Sequence, residues 1–223
     1  MTAGPLEEFV EYPDSDGEPM ADNTLQYEWI VLLRENLNGL FPDFVAGNLL
    51  WYPVRGEPRI RVAPDVLVAL GRPKGYRGSY KQWEEEGIPP RVVFEVLSPG
   101  NTASEMIRKM AFYQKHGVEE YYVIDPDEGT ASGHVRHGRT LQLVEDLSGH
   151  VSPLLGIRFQ LAEGSIVVLG PDGAPFQSFE EVKRALDQER ERADQERERA
   201  DQERERAERL AAELEALKRQ IGG

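Results

Sequence analysis

The 223-residue chain has no cysteine, which excludes a disulfide framework and any thiolate-bound metal, and fits a reducing cytosol. It also lacks a long hydrophobic run: no stretch approaches the roughly 18–20 apolar residues that cross a bilayer. The opening MTAGPLEEFVEYPDSDGEPM shows neither the basic start nor the apolar stretch of a signal peptide, so a cytoplasmic chain with no membrane association is expected. Positive charge is scarce, with 26 Lys and Arg against 40 Asp and Glu. That balance argues against a protein that coats nucleic acid through a basic face. The segment GRPKGYRG matches neither a P-loop nor a dinucleotide fingerprint, and no Gly-x-Ser-x-Gly elbow occurs.

The net charge of −14 is unevenly spread. Seven acids and no base fall in the first 24 residues, while residues 179–223 hold 14 acids and 11 bases, leaving a net of −4 for residues 25–178. Three regions follow. Residues 1–22, acidic and proline-punctuated, read as a flexible arm. Residues 23–178 have the apolar content of a folded domain. Residues 179–223 carry the repeat DQERERA at Asp187, Asp194 and Asp201. Extending its register places Phe179, Val182, Leu186, Ala193, Ala200, Ala207, Leu210, Leu214, Leu217 and Ile221 on one seam. A thin coiled coil that joins copies of the chain is expected, with a lone helix steadied by Glu/Arg pairs as the alternative.

Within the domain, Asp22 or Asn23 starts a helix to about Asn38, with Leu25, Trp29, Leu32, Leu33 and Leu37 as its apolar stripe. Strand character follows at 44–52 and 66–70, then a long charged loop from Gly71 to Pro90. Arg91–Leu97 is a near-continuous apolar run that predicts a strand buried on both faces. SPGNT leads into a helix over 103–116, with Ile107, Met110, Ala111 and Gln114 on one side, and Gly117 stops it. A strand at 121–124 completes a βαβ-like unit whose strand direction periodicity cannot fix. Short strands then fill 132–168, and His134 and His137 read as surface histidines.

Two acids stand out because they sit at or inside strands, where an unpaired carboxylate costs several kcal/mol. Asp65 enters one strand after Pro64, and Glu95 lies mid-strand in RVVFEVL. If the strands are neighbours, both carboxylates, with the peptide oxygen of Val96, can hold Mg²⁺ or Mn²⁺. Lys109 follows on the next helix, sharing a face with Glu105 and Tyr113. It is the candidate for orienting or deprotonating a water, or for meeting phosphate charge. The rival readings are a turn or cap role for Asp65, an ion pair for Glu95 and a helix salt bridge from Glu105 to Lys109. Arg72, Lys74, Arg77 and Lys81, interleaved with Tyr76, Tyr80 and Trp83, are candidate nucleic-acid contacts or a solvated loop.

At these residues the chain resembles the Uma-type restriction endonucleases, a branch of the PD-(D/E)XK nuclease superfamily. The likeness rests on Pro64–Val66, FEVLSPGNT at Phe94–Thr102, Glu105…Lys109…Tyr113 and GVEEYYVIDP at Gly117–Pro126, with a looser fit to about residue 178. It implies a restriction-endonuclease-like α/β core with a central mixed sheet flanked by helices, and Mg²⁺-dependent hydrolysis of DNA phosphodiesters. Asp65 and Glu95 would be the metal-binding acids. The superfamily often has lysine two residues after the glutamate; Leu97 stands there, so the role passes to Lys109. Glu105 replaces a common aspartate, and Glu28 on the first helix is a possible accessory acid. The alternatives are an inactive nuclease-fold adaptor that binds DNA or protein and oligomerises through its tail, and a phosphodiesterase acting on RNA or a small nucleotide.

Overall fold

The computed structural model describes residues 10–15, 17 and 20–221; Glu7, Glu8, Asp16 and Glu18 of the acidic segment lie outside the described residues. The chain divides into two compact units, Met1–Phe176 and Gln177–Gly223.

The first unit is built on a six-stranded mixed sheet in the order β1-β3-β5-β6-β7-β8. These strands are β1 (Asp43–Gly47), β3 (Val66–Pro73), β5 (Val92–Val96), β6 (Glu120–Asp125), β7 (Thr130–His137) and β8 (Thr140–Leu143). Two short strands, β2 (Trp51–Tyr52) and β4 (Tyr80–Lys81), pair in parallel, and β9 (Arg158–Ala162) forms a hairpin with β10 (Ser165–Leu169). Within the main sheet only β5 and β6 are parallel. That answers the direction question: α2 (Ala103–His116) is the crossover of a βαβ unit.

Side chains alternate across β5, and all five of its positions are buried. Val92, Phe94 and Val96 pack with Ile30, Leu33 and Leu37 of α1 (Thr24–Leu40) and with Phe159 of the hairpin. Val93 faces the other way, toward Trp51, Tyr80, Tyr113 and Tyr121. Truncating a ring such as Phe94 would cost about 3–5 kcal/mol. Glu95 falls on the Val93 side by the same alternation.

Both main helices are rotated from the expected stripes. The buried residues of α1 are Gln26, Ile30, Leu33 and Leu37, a four-three-four spacing; Leu25, Trp29 and Leu32 are only partly covered. Asn23 caps the helix, its side chain accepting from the Gln26 N–H at 2.8 Å. On α2, Ile107 and Ala111 are exposed and Tyr113 is buried. Thr102 caps its start and Gly117, at φ 100°, its end. That left-handed conformation is one glycine adopts without steric cost.

Two further expectations change. The described part of the N-terminal arm lies against the body: Tyr12 packs edge-on to Tyr52 at 5.2 Å and tilts on Trp83 at 4.9 Å, and Pro13 accepts from the Tyr52 hydroxyl at 2.6 Å. His137 is exposed as expected, but His134 is only partly so. It stacks on Tyr121 with ring centres 5.7 Å apart, its Nδ1 is buried without a partner, and burial lowers its pKa.

The second unit is one helix, α3 (Phe179–Ile221), of 43 residues and about 65 Å in length. Ser178 and Glu181 close a reciprocal capping box. Glu/Arg pairs one turn apart brace it, among them Arg209–Glu205 at 3.2 Å. Its seam residues Phe179, Leu210, Leu214 and Leu217 are exposed. Among the described residues no helix is long and apolar enough to cross a membrane.

Candidate active site

The register of β3 against β5 pairs Val66 with Phe94 and Leu67 with Val93. One step further along the antiparallel ladder sets Asp65 opposite Glu95, where directly opposed side chains are about 4.5–5.5 Å apart at Cβ. Both are removed from water, with relative exposures of 8% and 1%. The Val96 N–H donates to Asp65 Oδ2 at 2.7 Å. Lys109 Nζ donates to Glu95 Oε2 at 2.8 Å, and the Tyr113 hydroxyl donates to Glu95 Oε1. Glu105 stands 4.0 Å from Lys109 Nζ at the outer edge. The structure thus brings Asp65, Glu95, Val96, Lys109 and Tyr113 together.

The electrostatics of this cluster are those of two carboxylates and one cation in a dry place. Burial, and then the charge of Glu95, push Asp65 well above the ordinary aspartate range, against Lys109 and the Val96 N–H. Burial works against the Lys109 ammonium, yet the carboxylates of Glu95 and Asp65 outweigh it and hold its pKa above the usual lysine value. Lys109 is therefore a fixed positive charge, poorly suited to accept a proton. Burial also raises the Tyr113 phenol, which stays a neutral donor.

Sequence reasoning missed Gln26. Its Nε2 donates to the Val96 carbonyl at 2.8 Å, while its Oε1 accepts from the Asp22 N–H at 2.7 Å. Position 26, and not Glu28, is the α1 residue that reaches the site; Glu28 is exposed. The available signal was the Gln26-Ile30-Leu33-Leu37 spacing, which puts a polar residue at the head of the buried stripe.

The charged loop is less open than expected. Glu85 accepts from Arg77 Nε at 2.6 Å and from Arg72 Nε at 2.9 Å, and Arg77 lies 3.9 Å over the Phe44 ring. Lys74 donates to the Asn38 carbonyl, and Lys81 Nζ is 3.9 Å from Glu84. Tyr80 is in the core and Trp83 lies under Tyr12, leaving Tyr76 fully exposed. Arg72 and Arg77 thus hold this loop in shape.

Which residues could hold a metal follows from donor chemistry. Asp65, Glu95 and the Val96 carbonyl are hard oxygen donors of the kind Mg²⁺ and Mn²⁺ take. Burial, and then the charge of Glu95, raise the proton affinity of Asp65, and a bound cation would oppose both. The donors fit. Among the described residues no group of three or more His, Asp or Glu side chains is arranged around one point, so the carbonyl and waters would complete the shell.

A mixed sheet with one acid at the entrance of β3, another within β5 and a lysine on the crossover helix has the arrangement of a nuclease-like α/β domain. Residues 31–162 match Uma2, described as "Putative restriction endonuclease", and the chain belongs to that family. A crystal structure from Anabaena variabilis ATCC 29413, titled as a putative nuclease belonging to DUF820, is similar at 18% identity. That likeness covers 58% of this chain and 69% of the other, with a TM-score of 0.40. Comparison with curated proteins gives no match.

Proposed function

We propose that this chain is a divalent-metal-dependent endodeoxyribonuclease that hydrolyses DNA phosphodiesters at the Asp65–Glu95–Lys109 cluster. The observation that carries this reading is that Asp65, just before β3, accepts from the Val96 N–H beside Glu95 on β5, while the Lys109 ammonium is bonded to Glu95. Asp65, Glu95 and the Val96 carbonyl would hold the cation, which when bound would supply Lewis acidity and lower the pKa of a water. Lys109 meets the negative charge that develops on the phosphate, its protonation secured by the two acids. Tyr113 fixes the Glu95 carboxylate by donating to Oε1. Gln26 orients the Val96 carbonyl. Mn²⁺-dependent nicking of supercoiled plasmid by wild type, Glu95→Ala and Lys109→Ala tests the reading. Loss in both variants is expected; nicking retained by folded Glu95→Ala sinks it.

One observation favours a second reading, the non-enzymatic adaptor. Glu95 is almost wholly buried and already carries a complete ion pair, as a structural carboxylate would. Titration with Mn²⁺ separates the two, because an adaptor binds the ion no better than its Asp65→Ala variant does. In either reading α3 pairs with a second copy through Leu210, Leu214 and Leu217, which would tether two sites. Sedimentation equilibrium checks this: Leu210→Ser/Leu214→Ser/Leu217→Ser should be a monomer where the wild type is a dimer, and a monomeric wild type ends the idea.

A further inference from the structure

The described residues before α1 touch the rest of the first unit at several points, and two of these contacts share one chemistry. Asp14 Oδ1 accepts from the Ser79 hydroxyl at 2.9 Å, with its other oxygen against the bare Cα of Gly78; an added Cβ there would lie 2.2 Å from it. Asp22 Oδ2 accepts from the Ser98 hydroxyl and lies against Gly100, where an added Cβ would stand 2.8 Å away. Each is a carboxylate seated on a serine hydroxyl beside a glycine. A phosphate oxygen has the same charge and the same acceptor chemistry.

The second seat adjoins the candidate active site. Ser98 follows Val96 by two residues, on the turn joining the Glu95 strand to the Lys109 helix. Gln26 links the Asp22 N–H to the Val96 carbonyl. Asn48 Nδ2 donates to the Met20 carbonyl at 2.9 Å, while its own N–H donates to the Asp65 carbonyl at 3.1 Å. Asn48 holds φ at 48° to do so, a conformation uncommon outside glycine. The residues before α1 are thus hydrogen-bonded, each through one intermediary, to the backbone of both acid-bearing strands.

We propose that this acidic segment is a substrate mimic: Asp14 and Asp22 occupy two seats, Gly78–Ser79 and Ser98–Gly100, that receive backbone phosphates of a nucleic acid when the segment lifts. The proposal rests on the nuclease reading for the identity of the ligand. It explains how a net-acidic domain can still hold a polyanion, through neutral hydroxyl donors that become available only on displacement.

Equilibrium binding of a fluorescent DNA duplex to the full chain in EDTA, read by anisotropy, tests it without requiring catalysis. Asp14→Ser/Asp22→Ser should bind about tenfold more tightly than wild type, whereas Glu11→Gln, which removes one charge from the same segment, should change affinity by less than about twofold. Adding Ser98→Ala to the double variant should return at least half of the gain on a logarithmic scale. Unchanged affinity in a double variant that still unfolds cooperatively overturns the proposal. A gain that Glu11→Gln reproduces, or that Ser98→Ala leaves intact, overturns it too, since the segment would then act by general repulsion. Tighter binding without metal-dependent nicking would leave the two seats standing and remove the catalytic reading instead.

Discussion

Two glutamates on neighbouring parallel strands are equally buried and do different things. Glu95 on β5 and Glu120 on β6 are each 1% exposed. Glu120 accepts from the Tyr122 hydroxyl at 2.9 Å, the Leu154 N–H at 2.6 Å and the Ser152 hydroxyl. Its partners are neutral and belong to β6 itself and the turn before β9, which the carboxylate ties to the sheet. Glu95 instead faces a second carboxylate and an ammonium. Burial alone therefore does not mark a site. The mark is a second carboxylate and an ammonium gathered beside the first; at Asp65 burial, and then the charge of Glu95, raises the pKa.

The sharpest way to break this comparison is to replace each acid by its near-isosteric amide. Glu95→Gln should lower the plasmid-nicking rate by about a thousandfold, the equivalent of about 4 kcal/mol of transition-state stabilisation. Glu120→Gln should leave nicking within about threefold. Equal losses in the two variants would erase the distinction. Lys109→Met comes next: it takes away the ammonium while keeping the stem, and should slow nicking by about a hundredfold. Stability should reverse the order of the first pair. Glu120→Gln places an amide donor among three donors and should cost about 1–3 kcal/mol in urea unfolding.

The smallest effect concerns pH. Because the folded-state pKa of Asp65 is raised, its contribution favours the metal-free fold at acid pH and is lost as pH climbs through that raised value. Mg²⁺ competes with the proton for the same oxygens. Its stabilisation, read as a rise in Tm of a few degrees, should be larger at about pH 8 than at about pH 5, and Asp65→Asn should abolish the difference. A Tm rise independent of pH would place the ion elsewhere.

Much of the core was legible because its signals are local. The run RVVFEVL, the turn SPGNT and Gly117 bracket β5 and α2, and α2 has the expected bounds, 103–116. Membership in the family followed from linked motifs along residues 60–126. What escaped depends on which side of an element faces inward. The stripe of α2 was expected along Ile107, Met110 and Ala111 because those residues are apolar, whereas the buried side is the one whose Lys109 and Tyr113 donate to Glu95. Gln26 drew no expectation because a polar residue has no place in an apolar stripe, and its partner Val96 lies 70 residues away. Glu120 went unnoticed because its partners Ser152 and Leu154 lie more than 30 residues away. Arg72 and Arg77 resembled free cations until Glu85, in a separate acidic run, closed on them.

The side-chain amide of Gln26 has a direction: nitrogen toward the Val96 carbonyl, oxygen toward the Asp22 N–H. Turned end for end, it would set oxygen against oxygen and hydrogen against hydrogen at both ends, so the surroundings read its polarity like a keyed plug. Glutamate at position 26 would bring that oxygen clash to the carbonyl end and, with it, a third acid beside the other two. A single-atom difference on α1 thus decides whether the leading segment, held through the Asp22 N–H, stays tied to the Val96 carbonyl.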